Sequence, residues 1–303
     1  MRILLVQRDL NDQPVPEGRK GQSVAQAAAH LARACQHYQV DLSLADTTDP
    51  HALDAQQARP DFVLVLGGDG TILRAAETAR HYQVPLLGIN TGHVGFLAEA
   101  DPDALDQVIH AVVHGNYHVD ERMTLDIEVT TPEGEVRCGW ALNEAALAKQ
   151  DRARMLEVSI GVDGQAVTSF GCDGVLISTP TGSTAYSFSA GGPVIWPEVE
   201  ALMVVPLAAH ALFTRPLVLG PGSTLSVHID DAGFGPAYVW CDGRREIEVP
   251  VGGLVQARRS TLPVRLARLN NAPFASRLVR KLNLPITGWR GTASTHARTE
   301  HTA

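Results

Sequence analysis

Three glycines surround one carboxylate at Gly67-Gly68-Asp69-Gly70-Thr71, the part of the chain where residue types point most directly to chemistry. Phe62–Leu66 before it is an unbroken apolar run, and apolar residues return after it at helical intervals. The spacing predicts a strand, a sharp turn and a helix. Glycines let backbone approach a ligand without Cβ atoms in the way, and the first N–H groups of a helix favour an anion. A loop that only holds phosphate gains nothing from a negative charge in its middle. One that takes a proton from an attacking hydroxyl, or holds a magnesium ion, does gain. Asp69 suits a turn or a helix N-cap equally well, so this stretch alone leaves both readings open.

Two further polar constellations stand out. Ser178–Pro193 crowds hydroxyls and glycines around Tyr186, supplying small donors for a ribose or phosphate and a ring able to stack on a base. A flexible surface loop is the alternative, but the buried-looking strand Gly174–Ile177 that leads in favours a binding segment. Asn143-Glu144 interrupts the apolar run Trp140–Ala148. Such a pair lies at an exposed strand end or points into a site, where the amide donates and accepts and the carboxylate accepts from vicinal hydroxyls. Neither G-x-G-x-x-G nor G-x-x-x-x-G-K-[ST] occurs, which excludes an ordinary dinucleotide dehydrogenase or P-loop enzyme.

The elements that must position these groups read as two domains. Strands at Arg2–Gln7, Val40–Leu44, Phe62–Leu66 and Val84–Ile89 alternate with helices, one of them facing inward through Val24, Ala28, Leu31, Cys35 and Tyr38. Asp101-Pro102 supplies an N-cap and first-turn proline for another, whose inward stripe is Leu105, Val108, Ile109 and Val112. This predicts a parallel, Rossmann-like α/β domain over 1–114, with two glycine turns, Gly67–Thr71 and Asn90–Phe96, beyond the carboxyl ends of strands. Alternating residues and the hairpin signals Asp163-Gly164 and Asp242-Gly243 then predict a mostly β domain over 115–262. A segment over 263–290, with Phe274, Leu278 and Leu282 on one helical face, is expected to pack back on the first domain. The polar tail 291–303 is expected to be disordered.

The 303 residues carry a net charge of −8, 45% apolar residues and no apolar run near membrane-span length. Nucleic acid and membranes are therefore not expected as partners. The scattered Cys35, Cys138, Cys172 and Cys241 read as buried or half-buried thiols of a cytoplasmic protein, and no metal site is expected from them. Trp196, Trp240 and Trp289 read as packing residues, and most histidines, including His296 and His301, as surface groups. Arg74, Lys149, Arg152 and Arg154 could supply local positive charge for an anionic substrate.

In this order, Gly67–Thr71, Asn143-Glu144, Asp173-Gly174 and Thr179–Pro193 resemble the bacterial NAD kinase family, as do Leu87–Leu97, Arg215–Val218 and Phe274–Leu282. The glycine turn alone is shared with lipid kinases and phosphofructokinases; the Thr179–Pro193 segment is far more specific. The resemblance implies phosphoryl transfer from ATP to the 2′-hydroxyl of the adenosine ribose of NAD, with Mg²⁺ arriving on the ATP, and a homo-oligomer, dimer or tetramer. It implies that Asp69 accepts the proton while Gly67, Gly68 and Gly70 approach phosphate, with Arg74 one turn later. Asn143 and Glu144 would hold adenosine, Arg154 the dinucleotide and Asp173 the nicotinamide end. Thr184, Ala185, Tyr186 and Ser189, with Ser187 and Phe188 between them, would line the adenine side. His210 would lie near the phosphates and Arg244 beside the ligand. Gly171 and Arg244 depart from relatives that carry a basic residue and Gln there, which bears on dinucleotide preference. A lipid kinase could share the glycine turn without needing Asn143-Glu144, and a non-catalytic dinucleotide sensor would have no use for Asp69.

Overall fold

The computed structural model describes residues 1–7, 24–45, 59–91, 95–149, 155–211, 214–230 and 236–286. In chain order the elements are β1 (Arg2–Gln7), α1 (Val24–His37), β2 (Asp41–Leu44), β3 (Phe62–Leu66), α2 (Asp69–Tyr82), β4 (Leu86–Ile89), α3 (Leu105–His114) and β5 (His118–Arg122). There follow β6 (Leu125–Thr130), β7 (Val136–Ala141), β8 (Glu144–Lys149), β9 (Leu156–Val162), β10 (Gln165–Cys172) and β11 (Gly174–Ser178). After the single turn α4 (Tyr186–Ser189) come β12 (Leu202–Leu207), β13 (Leu217–Leu219), β14 (Leu225–Ile229), β15 (Ala237–Cys241), β16 (Arg245–Val249), β17 (Leu254–Arg259), β18 (Val264–Arg268) and α5 (Phe274–Leu282). Among the described residues no helix is long and apolar enough to cross a membrane. The tail 291–303, Trp289, Arg152, Arg154, His296 and His301 lie outside the described residues.

The chain divides into two compact units, the first drawn from Met1–Ala75, Leu86–His118 and Ala267–Ala303, the second from Ala76–Pro85 and Val119–Leu266. In the first, β1 pairs in parallel with β2 and β3, and β3 with β4. The sheet, of order β2-β1-β3-β4-β18-β5, is mixed and not the parallel one expected from the alternating pattern. Local periodicity could not disclose that late-arriving strands would join this sheet. Ile3, Leu5, Phe62, Leu64 and Leu66 face the buried stripes Ala27, Leu31, Cys35 of α1 and Leu105, Val108, Ile109, Val112 of α3. Each Leu, Ile, Val or Phe among these, taken fully out of water, stabilises the fold by ~1.5–3 kcal/mol. The other sheet face meets α2, whose Ile72 packs where a Cβ on Gly88 would sit 2.3 Å from its Cδ1. Asp101 precedes a short 3-10 turn and its side chain makes no capping bond; α3 starts at Leu105. The sequence signal located the helix but not the manner of its entry.

The second unit contains two wholly antiparallel sheets, β10-β9-β14-β17-β6-β7 and β13-β12-β11-β8-β15-β16. Inward residues of both, among them Leu125, Val158, Val175 and Val239, form one apolar cluster. β11 is buried on both faces, since Leu176 on its outer side clusters with Met203 and Val205 of β12 and with Ile195. Both Asx-Gly hairpins form with left-handed pairs, φ 52° and 78° at Asp163-Gly164 and φ 54° and 66° at Asp242-Gly243, the geometry of a type I′ turn. Three cysteines are buried, but Cys138 is exposed. Trp196 and Trp240 are 44% and 38% exposed and so are not packing residues. The packed tryptophan is Trp140, between the guanidinium groups of Arg80 and Arg245, 4.4 and 4.1 Å from its ring centre.

Candidate functional site

The strand–turn–helix expected around Asp69 is present. Gly67 N–H donates to Ile89 O (3.0 Å), and Thr71 and Ile72 N–H both donate to Gly68 O (3.0 and 3.1 Å), closing the first turn of α2. A Cβ on Gly67 would lie 2.4 Å from Thr71 Oγ1, so glycine is sterically required there. At Gly68 and Gly70 nothing stands within 4 Å of that position. The backbone flanking Asp69 is thus open where a ligand would have to come close, at a helix N-terminus suited to anions. Asp69 itself is half-buried and accepts two backbone N–H groups, Phe96 on Oδ2 and Leu97 on Oδ1, each at 3.1 Å. The chain passes so near that a Cβ on Gly95 would be 2.2 Å from Asp69 Oδ1. A carboxylate has about four acceptor positions, so this grip orients the group and leaves capacity for a further donor. A cavity of about 170 Å³ adjoins Gly95, lined also by Asn90, Glu99, Asp101, Arg277 and Arg280.

In the second unit the structure brings Asn143, Glu144 and the hydroxyl-rich segment together. Asn143 and Glu144 are 9% and 8% exposed, which removes the reading of an exposed strand end. Thr179 N–H donates to Asn143 O (2.9 Å), and Thr179 Oγ1 donates to Leu142 O (2.5 Å). A Cβ on Gly182 would sit 1.9 Å from Asn143 O, so that backbone contact exists only with glycine. Asp242 anchors the other side: its carboxylate accepts Leu142 N–H and Asn143 N–H (2.7 Å for the latter) and an Arg245 guanidinium N–H (2.7 Å). Burial raises the Asp242 pKa, opposed by those backbone N–H groups and by Arg245. Glu144 has its pKa pushed up from 4.5 to about 7 by burial and by the neighbouring Asp242 charge, against the pull of the Tyr186 backbone N–H. Its Oε2 is buried without a hydrogen-bond partner. An unsatisfied buried acceptor is costly, and a ribose hydroxyl would satisfy it.

The hydroxyls of Ser178–Pro193 differ from expectation: most turn inward. Ser178 and Ser187 bond to each other, Ser183 Oγ donates to Pro180 O (2.7 Å) and accepts Ile195 N–H (2.9 Å), and Thr184 Oγ1 donates to Thr181 O (3.2 Å). They stiffen the segment instead of facing a ligand, because a glycine-rich stretch crossing a buried strand must satisfy its own backbone. What faces outward is the pair of aromatic rings, Tyr186 and Phe188, 49% and 40% exposed, together with exposed Ser189; Ala185 is half-buried.

The remaining residues are spread out. Asp173 is half-exposed and bonds Lys149 Nζ (2.5 Å), so that lysine's charge is engaged. His210 is exposed and its backbone N–H donates to Gly171 O (2.8 Å). Asp173 lies at the opposite end of β11 from Glu144, ~16 Å away by strand rise, and His210 bridges Gly171 of β10 beyond that end. A side chain on Gly171 would first meet Glu157 Oε1 at 2.8 Å, the movable end of a side chain. Arg244 donates to Glu77 (3.3 Å) beside the Asp242 turn, and half-buried Arg74 lies on α2 beyond Asp69. Arg154 is outside the described residues. Burial pushes the Cys172 and Cys241 thiols up to about 12, so neither offers a thiolate nucleophile. No group of three or more His, Cys, Asp and Glu side chains among the described residues could hold a metal ion.

Residues 4–117 match the ATP-NAD kinase N-terminal domain and residues 142–269 the ATP-NAD kinase C-terminal domain. The chain belongs to the NAD kinase family. It is 53% identical over 251 residues to NAD kinase 2 of Streptomyces coelicolor, covering 83% of this chain and 82% of that one. To the NAD kinase of Leifsonia xyli it is 57% identical over 234 residues, 77% of each chain. Its activity is that of the family, ATP-dependent phosphorylation of NAD to NADP. Among solved structures, the yeast NADH kinase complexed with NADH shares the fold, with a TM-score of 0.79 at 20% identity, covering 93% of this chain and 87% of that one. The NAD kinase of Archaeoglobus fulgidus in complex with ATP gives 0.70 at 26% identity, covering 93% and 99%.

Against the NAD kinase background, Asp242 anchors residues 142–143 although its sequence setting marks only a hairpin turn, with Arg244 as the link to ligand. The one available signal was an aspartate at a type I′ turn, where Asp is ordinary. Its burial and its grip on residues 142–143 come from strands 100 residues apart in sequence meeting in one sheet.

Proposed function

We propose that Asp69 is the general base of this NAD kinase. It accepts the proton of the adenosine 2′-hydroxyl while that oxygen attacks the γ-phosphorus of ATP and the bond to the β-phosphate oxygen breaks, releasing ADP. The observation that carries this reading is a carboxylate held by two backbone N–H groups between Gly68 and Gly70, whose surroundings are open. A base so placed contributes roughly 10² to 10⁴ in rate, and the rest of catalysis is positioning and charge neutralisation. Mg²⁺ enters with ATP as part of that substrate.

In this reading Asn143 and Glu144 hold the ribose, supported by the unpartnered Glu144 Oε2, while Tyr186 and Phe188 flank the adenine with Ala185 and Ser189 beside them. Arg74 supplies charge at the phosphates, and Asp173, His210, Arg154 and Arg244 serve the remainder of the dinucleotide. The α/β half over 1–114 acts as a Rossmann-like layer: its order β2-β1-β3-β4 reverses direction between β1 and β3, and the glycine turn follows β3. The half over 115–262 holds NAD, and the protein works as a cytoplasmic homo-oligomer. The test is Asp69→Asn, assayed with MgATP and NAD by coupled detection of NADP. Turnover is expected to fall by roughly 10² or more with NAD affinity within a few-fold of wild type. Turnover near wild type would remove the base assignment.

A further inference from the structure

Behind Asp69 lies a buried ionic cluster that the reaction does not touch. The Glu99 side chain is 1% exposed. Its Oε2 accepts Arg268 Nη1 (3.1 Å) and Arg277 Nη2 (2.7 Å), and its Oε1 accepts Leu269 N–H (3.0 Å) and Asn270 N–H (3.4 Å). The two guanidinium groups do not stop at Glu99. Arg268 Nη1 also donates to Leu97 O (3.1 Å), and Arg277 Nη1 donates to Phe96 O (3.5 Å) and Ala98 O (3.4 Å). Three successive carbonyls are therefore held from one side by two cations. From the other side, the N–H groups of Phe96 and Leu97 hold the Asp69 carboxylate.

One peptide group joins the two systems. The carbonyl of Phe96 and the N–H of Leu97 belong to the same planar amide, so its oxygen faces Arg277 while its hydrogen faces Asp69 Oδ1. A cation on the carbonyl polarises the amide and strengthens the bond its N–H donates, and rotation of that plane would break both contacts together. Phe96 is 9% exposed, with its ring centre 6.0 Å from that of Phe274 on α5, which fixes the segment further. Arg268 ends β18 and Arg277 lies on α5, some 170 to 180 residues from the Phe96–Ala98 segment they brace.

We infer that Glu99, Arg268 and Arg277 form a positioning device for Asp69: Glu99 aligns two arginines, the arginines fix the Phe96–Ala98 peptides, and those peptides set the orientation of the carboxylate. This rests on the reading of Asp69 as the base. Arg277 is the better probe, since Glu99 keeps Arg268 as a partner when it is lost and α5 is partly exposed. Arg277→Ala is expected to lower kcat at least tenfold, with KM for NAD and for MgATP within about twofold, and Arg277→Lys to recover part of the loss.

The deciding measurement is the double variant. If Arg277 acts through Asp69, adding Arg277→Ala to Asp69→Asn costs less than twofold further in kcat, whereas independent effects multiply. A folded Arg277→Ala with wild-type kcat, a loss shared equally between kcat and NAD affinity, or multiplying effects in the double variant each overturn the proposal. The two readings fail differently. Wild-type turnover in Asp69→Asn removes the base assignment, while lost turnover there with normal Arg277→Ala removes only the positioning device.

Discussion

Glu144 makes NAD binding depend on pH in a direction the structure specifies. Its folded pKa is about 7, against an ordinary 4.5, because the carboxylate is buried and the Asp242 charge is close. Ionised, the group offers an acceptor oxygen to each of two vicinal ribose hydroxyls, whereas protonation turns one of those oxygens into a donor and weakens the pairing. With a pKa near 7 it is ionised to about 9% at pH 6 and about 91% at pH 8, so apparent NAD affinity should rise roughly tenfold over that interval. Glu144→Gln, which cannot ionise, should bind with affinity that changes little with pH. Stability runs the opposite way. An acid with a raised folded pKa binds more protons folded than unfolded between 4.5 and 7, so its contribution is intact below 4.5 and is lost as pH rises through 7. The cost at pH 8 is on the order of 3 kcal/mol, and Glu144→Gln should relieve it there and not at pH 4. Calorimetric NAD titrations of both proteins at pH 6, 7 and 8, with denaturant melts at pH 4 and 8, measure both effects. Equal wild-type affinity at pH 6 and 8, or the same slope in Glu144→Gln, would refute the assignment of Glu144 to the ribose.

Asp242→Asn removes a negative charge that raises the Glu144 pKa, so the midpoint of NAD binding should move below 7; an unmoved midpoint in the same titration refutes the coupling. Gly68→Ala meets no protein atom within 4 Å and should melt within about 1 kcal/mol of wild type while losing activity, because its methyl occupies the approach to phosphate. Gly182→Ala must instead displace Asn143 O, 1.9 Å from the new Cβ, and should cost several times more stability; equal melting of the two variants would contradict this contrast.

Elements whose residues carry a strong local pattern can be assigned before any tertiary contact is known. The apolar run of β3 ending in glycines, the Leu105–Val112 stripe and the two Asx-Gly hairpins were legible because period, turn chemistry and left-handed φ are properties of a few adjacent residues. Asp69, Asn143 and Glu144 could be singled out for the same reason, as polar groups misplaced in apolar or glycine-rich surroundings. Only the tertiary structure decided what those groups touch. The inward turn of the Ser183 hydroxyl, the entry of β18 into the first sheet, the anchoring of Asn143 by Asp242 and the bracing of Asp69 through Arg277 all depend on segments that chain closure brings together from about 100 or more residues away, or on backbone groups that every sequence carries alike. Hydrogen bonding capacity is written in the residue type; the partner that consumes it is a consequence of packing.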